Sequence, residues 1–143
     1  MTVKELLATK GKDVVSMDSD NTVEDAIRSM HARKISAVLV TDSGKPHGIF
    51  TERDVVRGYV ATGGKSFSAV PLKDVMTADL IVAEPDDELG NVMSVMVQKN
   101  IRHLPVSDKG KIVGMLSIRD IIQTQIGKLT AEIHYLKDYI SGA

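Results

Sequence analysis

Two groups of four residues, Thr51-Glu52-Arg53-Asp54 and Ser117-Ile118-Arg119-Asp120, each set a hydroxyl and a carboxylate three residues apart. A carboxylate accepts hydrogen bonds from the vicinal hydroxyls of ribose. A helix opening at Thr51 or Ser117 offers unpaired N–H groups and a positive dipole end to phosphate. Arg53, Arg102, His103 and Arg119 could add positive charge. Arg102 is the preferred anchor, because a guanidinium grips phosphate through two parallel bonds. The same spacing also closes a helix cap, and as a cap it holds no ligand. Its recurrence 66 residues along the chain favours the ligand reading.

Other chemistries find no support. The chain has no cysteine, which removes disulfides, thiolate catalysis and thiolate metal sites together. His31, His47, His103 and His134 show neither i, i+4 pairing nor an HExxH motif, so no metal site is expected. No nucleophile stands beside a base, and Gly63-Gly64-Lys65 lacks the spacing of a phosphate-binding loop, so no catalysis is expected. Lys and Arg number 18 against 19 Asp and Glu, and aromatic residues make up 3%. That balance argues against nucleic acid, leaving Arg28, Arg33 and Lys34 as a local basic group only. No apolar run approaches the roughly 18 residues of a membrane span. A soluble, cytoplasmic protein with no membrane partner is expected.

The elements that position these groups repeat. Between residues 14–54 and 80–120 ten positions are identical at a constant offset, among them Asp20/Asp86, Val40/Val106, Gly44/Gly110, Gly48/Gly114 and Asp54/Asp120. In each copy a short apolar run, Val14-Val15 or Leu80-Ile81-Val82, leads into a polar turn. Val23, Ala26, Ile27 and Met30, then Leu89, Val92, Met93 and Met96, follow the i, i+3, i+4, i+7 rhythm of a helix with one buried face. Two further strands around Asp42-Ser43-Gly44 or Asp108-Lys109-Gly110 form a hairpin, and a second helix opens at Thr51 or Ser117. Each copy is β-α-β-β-α. About 60 residues bury too little surface to stand alone, so the two copies are expected to pack face to face. Met30, Met93, Met96 and Met115 read as core filling. Thr2 and Glu5 open a short helix carrying Val3, Leu6 and Leu7, and Gly63 to Ser66 form the connector. The division expected is residues 1–66 for repeat one with the N-terminal helix, 67–125 for repeat two, and 126–143 for a helical extension.

The repeated unit, the segment Val75-Met76-Thr77, the two endings from Gly48 to Asp54 and from Gly114 to Asp120, and Arg102-His103-Leu104-Pro105-Val106 resemble the CBS domain. The pair resembles a Bateman module, over roughly residues 10 to 125. The resemblance implies an α/β (α+β) fold of tandem repeats related by a pseudo-two-fold axis. It also implies a non-catalytic regulatory role, with an adenosine-containing ligand (AMP, ATP or NAD) held in clefts between the repeats. By similarity, Asp54 and Asp120 hold ribose, Thr51 and Ser117 meet phosphate, and Ile35-Ser36-Ala37 contacts adenine. Copy two carries Ile101-Arg102-His103 at that place, so the clefts are expected to be unequal. Ser16 and Val82, equivalent in the two copies, complete the expected lining.

After Asp120, Ile122, Ile126, Leu129, Ile133, Leu136 and Ile140 follow alternating steps of four and three, the a/d rhythm of a coiled coil. This stripe favours a homodimer contact over folding back on the N-terminal helix, with Lys128, Glu132, Lys137 and Asp138 at its rim. An unidentified regulated protein is the further partner expected of a sensor. The rival reading is an interaction scaffold whose clefts are vestigial.

Overall fold

The computed structural model describes residues 1–140. Helix α1 (Val3–Lys10) opens where Thr2 Oγ1 accepts from the Glu5 amide at 3.3 Å. The first repeat then runs β1 (Ser16–Asp18), α2 (Val23–Arg33), β2 (Ala37–Asp42), β3 (Lys45–Thr51) and α3 (Glu52–Ala61). Two short 3-10 turns, Phe67–Ala69 and Leu72–Asp74, follow the glycine connector. The second repeat runs α4 (Leu89–Lys99), β4 (His103–Asp108), β5 (Lys111–Ser117) and α5 (Ile118–Ile140). The side chains of residues 138–140, Asp138 and Ile140 of the expected stripe among them, and residues 141–143 lie outside the described part.

The repeats match in detail. Both hairpins turn on residues with positive φ, Ser43-Gly44 and Lys109-Gly110, as a two-residue turn that follows strand twist requires. Both have a bulge two residues before the turn, at Val40/Thr41 and Val106/Ser107. The first strands differ. In repeat one, β1 pairs with β2 in parallel, and the Leu39 amide donates to Val15 O at 2.9 Å. In repeat two that donor position is Pro105, which has no N–H, and the ladder shrinks to a single bridge between Ala83 and Val106.

There are two cores, and the chain crosses between them. Val23, Ala26, Met30, Val38, Val40 and Phe50 of repeat one are buried together with Val70 and Leu72, which precede repeat two. Leu89, Val92, Met96, Leu104, Val106 and Leu116 of repeat two are buried with Val3, Leu6 and Leu7 of α1. Helix α1, grouped by chain order with repeat one, therefore closes the core of repeat two. Of the expected core methionines, Met30 and Met96 are buried, whereas Met93 and Met115 are partly exposed. The crossing segments run close against glycine. A Cβ on Gly48 would lie 2.6 Å from Thr77 O, and one on Gly114 would lie 2.8 Å from Leu7 Cδ2.

Candidate functional site

Equivalent backbone bonds gather the predicted residues into two clusters. In repeat one Ala37 pairs with Thr51, and the Glu52 amide donates to Ser36 O at 3.2 Å. In repeat two His103 pairs with Ser117, and the Ile118 amide donates to Arg102 O at 2.8 Å. Residues 35–37 thus sit beside the opening of α3, and residues 101–103 beside the opening of α5. The clusters meet each other. Ser36 Oγ lies 2.8 Å from His103 Nε2, a side-chain bond that joins the repeats.

The two aspartates, identical in the repeat, have different surroundings. Asp54 is 1% exposed. Its carboxylate accepts from the Thr51 amide at 2.9 Å and from Thr77 Oγ1 at 3.0 Å, and it pairs with the Arg57 guanidinium. Asp120 keeps 29% of its side chain exposed and lies 2.7 Å from Lys10 Nζ at the end of α1. Its amide donates to Ser117 Oγ at 3.1 Å, so the hydroxyl caps α5. Burial works to raise the Asp120 pKa, but hydrogen bonds from Lys10 and Ser117 outweigh it and hold the carboxyl below its ordinary value.

The expected cations divide in the same way. Burial pushes His103 below the usual imidazole range, and Glu52 and Asp120 offset this only in part. That direction favours the neutral ring, which is a hydrogen-bonding partner of Ser36. Arg53 is committed to the other repeat, where it donates to the carbonyl and to the side-chain Oδ1 of Asn100, the left-handed residue that ends α4. Arg102 and Arg119 are exposed. Ser16 is exposed on β1 opposite Leu39, Val82 is exposed, and Ile35 and Ile101 are half-buried against the cores of repeats one and two.

Sequence reasoning missed the residues that make the clusters unequal. Lys10, Arg57 and Thr77 lie outside the identical positions of the repeat, and Asn100 replaces Lys34 at an equivalent helix end. A hollow of about 480 Å3 between α3 and the crossing segment is lined by Arg57, Gly58, Met76 and Thr77 among others, and by none of the predicted residues. Among the described residues, no group of three or more His, Cys, Asp or Glu side chains could hold a metal ion. No helix among them is long and apolar enough to cross a membrane.

Comparison with known proteins decides what this duplicated arrangement is. The model of the CBS domain matches residues 3–61 and again residues 72–127. The chain belongs to the CBS domain family. It is 32% identical to the CBS domain-containing protein CBSX3, mitochondrial, of Arabidopsis thaliana, a match that covers 99% of this chain and 72% of that one. Among solved structures it is similar to the CBS-domain containing protein ATU1752 from Agrobacterium tumefaciens, with 35% identity, a TM-score of 0.83, and coverage of 87% of this chain and 99% of that one. It is also similar to the CBS domain pair of protein MJ0100, solved in complex with 5′-methylthioadenosine and S-adenosyl-L-methionine. There the identity is 26%, the TM-score 0.77, and the coverage 90% of this chain and 98% of that one. Along the chain α1 falls within the first CBS domain match, and in space it completes the second domain.

Proposed function

We propose that this CBS pair is a non-catalytic regulatory module that binds one adenosine-containing ligand, AMP, ATP or NAD, at the cluster around Asp120. The observation that carries this reading is the contrast between the aspartates: Asp120 is reachable and held by a mobile class of partner, a lysine side chain, whereas Asp54 is enclosed. The ligand's ribose hydroxyls take the place of Lys10 on the Asp120 carboxylate. The phosphate lies at the α5 N-terminus near Ser117, with Arg102 and Arg119 within reach of solvent and ligand alike. Ile101, His103 and Val82 line the adenine side. The MJ0100 complex supports the chemical class of ligand.

Displacing Lys10 gives occupancy a way to be reported. Lys10 is the last residue of α1, and α1 closes the core of repeat two, so a ligand that competes for Asp120 favours a different placement of the α1 end. A regulated protein that reads this end completes the switch, and the cytoplasm is the working compartment we assign. The test is calorimetric titration of the protein with AMP, ATP, NAD and S-adenosylmethionine. We expect one ligand per chain for at least one of them, and at least a tenfold loss of affinity in Asp120→Ala, the value of a charge-assisted hydrogen bond of about 1.5–3 kcal/mol. Absence of binding by all four would leave the scaffold reading in its place.

A further inference from the structure

Helix α5 continues well past the fold that needs it. Ile121 is buried in the core of repeat two, but every described side chain from 126 to 137 is exposed, so the stripe does not fold back on α1. Ile126, Leu129, Ile133 and Leu136 are 57%, 56%, 53% and 55% exposed on a single helix. Isolated exposed apolar residues are ordinary, but four in a/d register, continuing from Ile122, form an unpartnered seam.

The residue types on the seam specify its occupant. In a heptad frame Ile126 and Ile133 take position a, and Leu129 and Leu136 take position d, with Ile122 at the d position where the seam begins. A β-branched residue at a with leucine at d is the pattern that favours two parallel strands over three or four. Charge selects the same orientation. Glu132 falls at g and Lys137 at e, five residues on, the two positions that face each other between parallel, in-register helices. An antiparallel pair that aligns the full seam would bring Glu132 near Glu132 of the partner subunit, with like charges opposed. We infer that α5 pairs with α5 of a second copy of this chain as a parallel, in-register two-stranded coiled coil, which holds two CBS pairs at one end of a shared stalk. The inference rests on α5 alone and stands whether or not the Asp120 cluster takes a nucleotide.

The absence of cysteine makes the orientation directly measurable, because a single introduced thiol has no competitor. In a parallel, in-register pair the two copies of residue 136 face each other across the seam. In the antiparallel pair they are ten residues apart along the axis, about 15 Å, too far for a disulfide. The experiment combines light-scattering mass of the full-length wild-type protein with mild oxidation of full-length Leu136→Cys. The expected results are a wild-type mass of two chains and a covalent Leu136→Cys dimer on a non-reducing gel. Ile133→Asp should run as a single chain with its thermal unfolding retained, which separates loss of pairing from loss of fold. Charge provides a further check: Glu132→Lys should raise the dimer Kd about tenfold, and Glu132→Lys with Lys137→Glu should restore it. A wild-type mass of one chain at 100 µM, roughly the concentration of a structural sample, would overturn the pairing. Disulfide formation between Ile126→Cys and Leu136→Cys chains without Leu136→Cys homodimers would overturn the orientation.

Discussion

Replacing Lys10 with Met separates two consequences of one contact. The Lys10 ammonium lies 2.7 Å from the Asp120 carboxylate, with 27% and 29% of the two side chains exposed. Such a pair stands between solvent-exposed bridges, worth up to about 1 kcal/mol, and buried ones, whose rupture costs several. Screening by the remaining solvent sets the figure near 1 kcal/mol at pH 7, and Met retains most of the apolar stem. For a chain of this size that loss lowers Tm by about 2–4 °C. The sign of the pH dependence follows from Asp120, whose carboxyl is held below its ordinary value in the folded state. The stability it contributes is complete above the unfolded carboxyl pKa, near 4, and is lost as pH falls through the lower folded value. The wild-type advantage in Tm should therefore be constant between about pH 5 and pH 7 and should shrink below pH 4. Binding should move the other way. Adenosine, which has ribose but no phosphate, no longer competes with an ammonium for Asp120, so its affinity for Lys10→Met should rise about fivefold, the equivalent of 1 kcal/mol. Thermal scans across pH and calorimetry with adenosine measure both. Adenosine affinity that stays unchanged, or falls, in a protein whose Tm has dropped as expected would refute the displacement of Lys10 by ribose.

The remaining predictions concern the fold that presents the site. Gly48→Ala should cost about 2–3 kcal/mol, because its Cβ would meet the Thr77 carbonyl, itself fixed by mutual 2.9 Å hydrogen bonds with Ile49. Gly114→Ala should cost about 1 kcal/mol, since the obstruction is the movable end of the Leu7 side chain. Urea unfolding midpoints should rank the two in that order, and the reverse ranking would contradict the close approach at Thr77. Asp54→Ala should destabilise by about 3 kcal/mol, leaving the Thr51 amide and the Thr77 hydroxyl without their acceptor. Nucleotide affinity of the folded protein should be little changed in that variant, and calorimetry showing a greater loss than in Asp120→Ala would reverse the roles of the two aspartates.

Much of the architecture is legible in the chain because duplication prints each requirement twice. The hairpin turns, the helix faces and the Thr/Ser-x-x-Asp helix starts recur at one offset, and the structure has them at those places. The exchange of leading segments was harder to see. Apolar spacing shows that Val3, Leu6 and Leu7 bury a face, as Val70 and Leu72 do, but spacing carries no record of which core receives it. A signal existed nonetheless. Thr2 bridges to Glu88 and Pro71 bridges to Thr22, so the leading segments correspond at an offset of 69, three more than the body of the repeat. A search at a second offset would have paired α1 with the segment before repeat two. The shortened first strand of repeat two was legible in the same way, from Pro105 standing where Leu39 donates its amide.

The site was less legible, for a reason built into duplication. Positions identical in both copies, such as Gly44/Gly110 and Gly48/Gly114, are those the fold needs twice: a turn with positive φ, a close approach of a crossing segment to the strand. Among the positions that differ are those beside the two aspartates: Ser36 against Arg102, Ala37 against His103, Arg57 against Gln123. Asp54 and Asp120 belong to the first set by identity, yet their roles divide, because the groups that decide them come from outside the repeated core. Arg57 and Thr77 enclose one carboxylate, and Lys10, with Ser117 beside it, holds the other at the surface. A carboxylate enclosed by donors from three residues gains nothing from a ribose that must break them, whereas one paired with a partly exposed ammonium can exchange that partner at a cost near 1 kcal/mol. On the proposed reading the same residue is therefore a structural cap in one CBS domain and an available acceptor in the other, and the difference is made by Arg57, which stands where copy two has Gln123, and by the long-range partners Thr77 and Lys10, which no comparison of the two copies displays.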